Sequence, residues 1–255
     1  MNLTQITQVI SIVSGKGGVG KTMLTANLGV ALSQLGKRVT IIDGNLTTPN
    51  LGLHLGMTNA PITLHDVLKG KATLLEAIYE HETGLKVVPA GISLADLRGV
   101  DAKDLAAALL DLVGRDEIVL IDAAAGLGRE AVAAMEASSE VIFVTNPELP
   151  AVLDAIKASK LAEQMGISVR GCVVNRVEGR KHELTPAEIE SLVDMDVLAL
   201  IPEDRAVKEA IAARMPVLLY KPNSKASIAI ANLARRLVGL PERVPWYARL
   251  FWFIK

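Results

Sequence analysis

Gly15-Lys16-Gly17-Gly18-Val19-Gly20-Lys21-Thr22 lies between a β-branched run, Val9 to Val13, and a helix-period segment, Lys21 to Leu35. The octet fits G-x-x-x-x-G-K-[ST] in full, and a strand before it and a helix after it are the context its chemistry needs. Its glycines let consecutive backbone N–H groups converge on phosphate oxygens, and the helix beginning at Lys21 adds the positive end of its dipole. Lys21 supplies a point charge and the Thr22 hydroxyl a ligand for Mg²⁺, so a nucleotide site is expected over Gly15 to Met23. Lys16 is less expected, because a phosphate-binding loop has no particular need for a cation just after its first glycine.

Outward from the octet, short apolar runs alternate with longer helix-period segments. Strands are expected at Val9 to Val13, Arg38 to Asp43, Lys86 to Pro89, Glu117 to Asp122, Glu140 to Thr145, Val169 to Asn175, Val197 to Ile201 and Val217 to Tyr220. Apolar on both faces, such runs read as parallel strands buried between helices. Helices are expected at Lys21 to Leu35, Ala102 to Val113, Arg129 to Ala137, Pro150 to Met165, Pro186 to Asp194, Arg205 to Ala213 and Ser224 to Val238. The alternation predicts an α/β fold with one doubly wound, mostly parallel sheet flanked by helices, binding its ligand at the carboxyl ends of the strands. A break in composition near Pro241 divides the chain into an expected nucleotide-binding domain, 1–240, and a tail, 241–255.

The 255 residues are 50% hydrophobic and 22% charged with mixed signs, which excludes a disordered chain. A net charge of -1 offers no overall field for DNA, so no nucleic-acid partner is expected. One cysteine, Cys172, excludes an internal disulfide framework and reads as core packing. The four histidines, His54, His65, His81 and His182, lack ligand spacing and are assigned to loops and helix ends. The N-terminus lacks the marks of a signal peptide and no apolar run approaches the ~18 residues of a membrane span, so a cytoplasmic location is expected.

GKGGVGKT is the signature of the deviant Walker A family of P-loop ATPases, which the chain resembles to about Gly239. The resemblance implies ATP with Mg²⁺, an ATP-bound homodimer, and a Lys16 that reaches the partner's nucleotide. IIDGNLTTPNLGLHLG from Ile41, VVPAG from Val87 and TNPE from Thr145 resemble the MinD branch, the cell-division-site ATPases, most closely its archaeal members. Asp43 and Asp122 each end a buried strand, where carboxylates hold Mg²⁺ or its waters; Asp122 matches the Walker B aspartate and opens switch II. Asn175 and Pro202-Glu203-Asp204 match positions that hold adenine, the Asn amide offering both a donor and an acceptor. The plainer alternatives are a solvated lysine at 16, capping aspartates at 43 and 122, and turn and cap residues at 175 and 202–204. Switch I of the family reads Asp-x-Asp, and the second aspartate is here Asn45. An amide holds a water but cannot accept its proton, so slow or absent hydrolysis is expected. Ala124 stands in place of the switch II proline, and Met23 in place of a common hydroxyl residue.

Five of the eight aromatic residues lie in the last ten positions. On a helix Trp246, Tyr247, Leu250, Phe251, Phe253 and Ile254 form one arc, with Arg249 and Lys255 on the other side. Ten residues rise only ~15 Å as helix, so the segment can lie in an interface but not span it. It resembles the C-terminal membrane-targeting helix of MinD proteins; packing on the domain or another chain is the alternative. The whole implies an ATP-dependent switch cycling between cytosol and the inner face of the cell membrane, with a protein partner that reads the ATP state. A ParA-like DNA-partitioning ATPase would leave the tail unexplained, a metal-cluster carrier would need more cysteines, and a metabolite enzyme would need a substrate pocket that the sequence does not reveal.

Overall fold

The computed structural model describes residues 6–243. The tail residues Trp246, Tyr247, Arg249, Leu250, Phe251, Phe253, Ile254 and Lys255 lie outside the described residues, so their assignment stays an expectation.

Eight strands form one sheet: β1 (Gln8–Val13), β2 (Val39–Gly44), β3 (Tyr79–Glu80), β4 (Lys86–Val88), β5 (Ile118–Ala123), β6 (Glu140–Thr145), β7 (Ser168–Val177) and β8 (Val197–Pro202). Their spatial order is β3-β4-β2-β5-β1-β6-β7-β8, and every pair is parallel except the edge pair β3–β4. The helices are α1 (Lys21–Gln34), α2 (Leu51–His54), α3 (Leu64–Leu68), α4 (Leu105–Ala108), α5 (Arg129–Glu136), α6 (Leu149–Gln164), α7 (Pro186–Val193), α8 (Arg205–Ala212), α9 (Val217–Tyr220) and α10 (Lys225–Leu237). From β1 the chain builds the sheet toward β2 and β4, and then, from β6 onward, in the opposite direction. The reversal at β1 leaves a crevice at the carboxyl ends of the strands, the usual ligand position in open α/β sheets.

Strand residues alternate between two cores. Ile10, Ile12, Ile41, Leu120, Ile142, Val144 and Val173 pack against α1 and α10 on one face. Val13, Ile42, Val119, Ile121, Val141, Phe143, Cys172 and Val174 pack against α5, α6 and α7 on the other. The two-residue period of the pleat thus places aliphatic groups on both faces. Burial pushes the Cys172 thiol up to about 12, in keeping with a packing role.

Two expected elements differ. Val217 to Tyr220 is a helical turn, not a strand: the Leu219 and Tyr220 amides donate to the Pro216 carbonyl, and Pro216 starts a turn that Ser227 Oγ then ties to the Val217 carbonyl at 3.0 Å. The helix expected over 102–113 is broken into 3₁₀ turns at Ala102–Asp104 and Leu109–Leu112 around α4. The edge strand β3 and the short helices α2 and α3 are additional to the expected elements.

Asp204 joins two helices beside the crevice. Its carboxylate accepts from the Ala206 N–H in α8 (2.9 Å) and the Ala226 N–H in α10 (3.1 Å). Partial burial opposes its ionisation, but these amides, the Ser224 hydroxyl and Lys221 hold the carboxyl below its ordinary value.

Candidate nucleotide site

The loop between β1 and α1 is held from three sides. A side chain at Gly15 would meet the Asp154 carbonyl of α6 at 2.2 Å, so the loop begins pressed against another backbone. Gly20, which precedes α1, has φ 100°, and a Cβ there would meet Asn175 Nδ2 at 2.2 Å. Asn175, buried on β7, donates from Nδ2 to the Val19 carbonyl at 2.7 Å. From beneath, the Thr22 hydroxyl donates to Asp122 Oδ2 at 2.6 Å, and Thr25 Oγ1 lies 3.4 Å from Asp122 Oδ1. Ser14 Oγ donates to the Lys16 carbonyl at 2.7 Å.

This loop borders a cleft of about 360 Å³. Gly17, Gly18, Gly20, Lys21, Thr22 and Met23 form one wall, Asn45, Thr48, Asn50, His54 and Ala125 a second, and Asn175, Arg176, Pro202, Glu203, Asp204, Val207, Lys208 and Ile211 a third. Most residues expected at the site therefore converge. Gly15, Val19 and Asp122 lie behind the wall as its supports, and Lys16, half-buried, stands on the loop without lining the cleft. Glu203 Oε1 pairs with Lys208 Nζ at 2.6 Å. A bulge in β7 after Asn175 puts Arg176 at φ 60° on the cleft wall.

Asp43 and Asp122 are register partners on β2 and β5, both buried. Asp43 does not line the cleft; it accepts the Leu51 N–H at 2.9 Å and the Asn45 N–H at 3.3 Å, starting α2 and shaping the loop before it. Burial and then the neighbouring Asp122 push its carboxyl well above the ordinary carboxylate value, against the pull of the Leu51, Asn45 and Asn50 amides. Burial pushes Asp122 to about 6, opposed by Thr22, Lys21 and Thr25. Burial lowers Lys21 and Asp122 partly restores it. Asn45 is engaged with Thr48: Nδ2 donates to the Thr48 carbonyl at 2.7 Å, while Oδ1 accepts from Thr48 N–H (3.2 Å) and Thr48 Oγ1 (3.1 Å).

The residues present fit a magnesium nucleotide. A glycine cradle that a Cβ would fill, a buried cation and a hydroxyl backed by a carboxylate supply backbone donors, charge and hard oxygen ligands, respectively. His54, Thr48, Asn50 and Arg176 are cleft residues outside the sequence expectation. The first three follow Asp43 within the stretch Ile41 to Gly56, and Arg176 directly follows Asn175; proximity to those residues is their only sequence signal.

A glycine-rich loop from strand to helix at the reversal of a parallel sheet defines a P-loop nucleotide-binding protein. Residues 10–217 match the CobQ/CobB/MinD/ParA nucleotide binding domain, and the chain belongs to that family, within its MinD-like ATPases. An uncharacterized ATP-binding protein of Methanocaldococcus jannaschii is 38% identical over 237 residues, covering 93% of this chain and 90% of that protein. The septum site-determining protein MinD of Pyrococcus horikoshii, solved in complex with Mg-ADP, superposes with a TM-score of 0.88 at 38% identity, covering 91% of this chain and 96% of that one. MinD in the MinC:MinD cell division protein complex of Aquifex aeolicus gives a TM-score of 0.84 at 30% identity, covering 93% of this chain and 98% of that one.

The buried acid predicts an effect on stability. A carboxyl raised to about 6 when folded, from an ordinary value of 3.8, is destabilising once ionised: the penalty is absent below about pH 4 and complete above about pH 6. Without nucleotide or Mg²⁺, Asp122→Asn stabilises the protein at pH 7.5, by on the order of 2 kcal/mol, and the gain vanishes toward pH 4. Urea denaturation across pH checks this; a gain that does not depend on pH contradicts it.

Proposed function

We propose that this protein is an ATP-dependent dimerisation switch of the MinD type. ATP and Mg²⁺ join two subunits, the paired tails settle on the cytoplasmic face of the membrane, and hydrolysis releases them, serving to position the cell-division site or a related structure. A protein partner reads the ATP state; the Aquifex aeolicus relative is solved in a MinC:MinD cell division protein complex. The placement of Lys16 carries the reading. It is a half-buried cation on the phosphate loop that is not among the residues lining the loop's own cleft, which supports a role toward the nucleotide of a second subunit.

Thr22 holds Mg²⁺, Asp122 orients the Thr22 hydroxyl, and Asp43 fixes the loop that carries Asn45. Asn175 and Pro202-Glu203-Asp204 flank the cleft end at which adenine lies. Slow turnover follows from Asn45, whose amide bonds Thr48 and has no basic oxygen for the attacking water. The tail, 241–255, acts as a membrane anchor. Its basic residues contribute at most ~1 kcal/mol each near an anionic leaflet, so a single copy is marginal. Two copies joined by ATP gain ~10²- to 10⁴-fold in avidity, which makes membrane residence report the nucleotide state. Among the described residues no helix is long and apolar enough to cross a membrane.

Two expectations test this reading. Asn45→Asp restores a carboxylate that keeps the acceptor role toward Thr48, and phosphate release then rises by at least ~10²-fold; an unchanged rate removes position 45 from the chemistry. Co-sedimentation with anionic liposomes increases with ATP over ADP, and Phe251→Glu abolishes it without altering nucleotide affinity. Wild-type protein that stays in the supernatant with ATP, under conditions where it is dimeric, contradicts the membrane step.

A further inference from the structure

We infer that Glu130 is a positioning residue that makes the two loops beside the third phosphate act as one body. The inference rests on the ATP-switch reading above and names a residue for it. Glu130 lies in the first turn of α5, the helix that follows β5 and its loop, 124–128. Its carboxylate accepts twice from Thr47, in the loop that follows the adjacent strand β2: Oε2 takes the Thr47 N–H at 3.2 Å and Oε1 takes the Thr47 hydroxyl. Thr47 lies between Asn45 and Thr48, which close their own turn, so the whole Asn45–Thr48 unit is tied to α5.

Both loops reach the nucleotide cleft, one through Asn45 and Thr48, the other through Ala125. The same two loops border a surface hollow lined by Asn45, Thr47, Ala124 and Glu130. A carboxylate suits this position, because the amides opening α5 favour negative charge and because both Thr47 groups are donors. The glycine loop grips the phosphates common to ADP and ATP, whereas loops at the ends of the strands after β2 and β5 are placed to respond to a third phosphate. Tied loops are ordered together, so the ordering cost falls once for both, and the benefit accrues to ATP but not to ADP.

The test compares wild type, Glu130→Ala, Glu130→Gln and Thr47→Val for affinity toward Mg-ADP and a non-hydrolysable Mg-ATP analogue, with amide hydrogen exchange at residues 45–50. For Glu130→Ala the expected results are exchange at Thr47 faster by about tenfold, affinity for the ATP analogue weaker by about tenfold, and affinity for ADP within about twofold of wild type, the scale set by a hydrogen bond to a charged acceptor. Glu130→Gln, whose amide oxygen can accept the N–H while its nitrogen donates to the hydroxyl, recovers much of the difference. Thr47→Val, which loses only the hydroxyl, falls between. Unchanged exchange at Thr47 overturns the proposal, as does an equal loss of ADP and ATP-analogue affinity, the sign of general loosening. Wild type that binds neither nucleotide overturns the underlying reading and this inference with it, and is recognised before any substitution is made.

Discussion

The hydrogen bond from Asn175 to the Val19 carbonyl pins the one segment on which the site depends. A loop that aims its N–H groups at a ligand cannot satisfy them within itself, and its glycines give it little intrinsic preference for that shape. Order is imposed by the walls: α6 backbone against Gly15, Asn175 beneath Gly20, and Asp122 under Thr22. Each wall comes from a different strand or the helix after it, so the loop is ordered only when the sheet is complete. Asn175 thereby joins the phosphate end of the cleft to the β7 end, where Arg176 and Pro202 lie.

Electrostatics sets a second constraint. Two carboxyls in register at the strand ends and the lysine that opens α1 are buried together, an arrangement that favours partial protonation until a cation arrives. The stability sacrificed there is what a magnesium nucleotide would recover on binding. Asp43 bridges this centre to Asn45 and α2, and Glu130 ties the same segment to α5. The segment 45–51 is thus anchored both to the buried carboxyl pair and to the helix after β5.

Much of this was legible in the sequence because local chemistry dictated it. The glycine loop, the buried strands and the helices with clear caps follow from patterns within a few residues. Val217 to Tyr220 is a helical turn where a strand is expected, because four apolar residues carry no decisive period and Pro216 starts a turn. The contact of Asn175 with Val19 spans 156 positions and that of Glu130 with Thr47 spans 83, so neither has a local signature. Asp204 and Asp43 were expected at the ligand; both are also structural acceptors, for the amides that start α8, α10 and α2.

Calorimetric titration of Mg-ATP into wild type and Lys21→Ala decides whether the octet Gly15 to Thr22 forms a nucleotide site in this fold. Lys21 is the buried cation of the cleft, and its removal leaves the glycine cradle in place while taking away the positive charge that lines it. A nucleotide site there requires binding by wild type and a loss of affinity of about 100-fold or more in the variant, with its fold retained by circular dichroism. Equal affinity in the two proteins would contradict it.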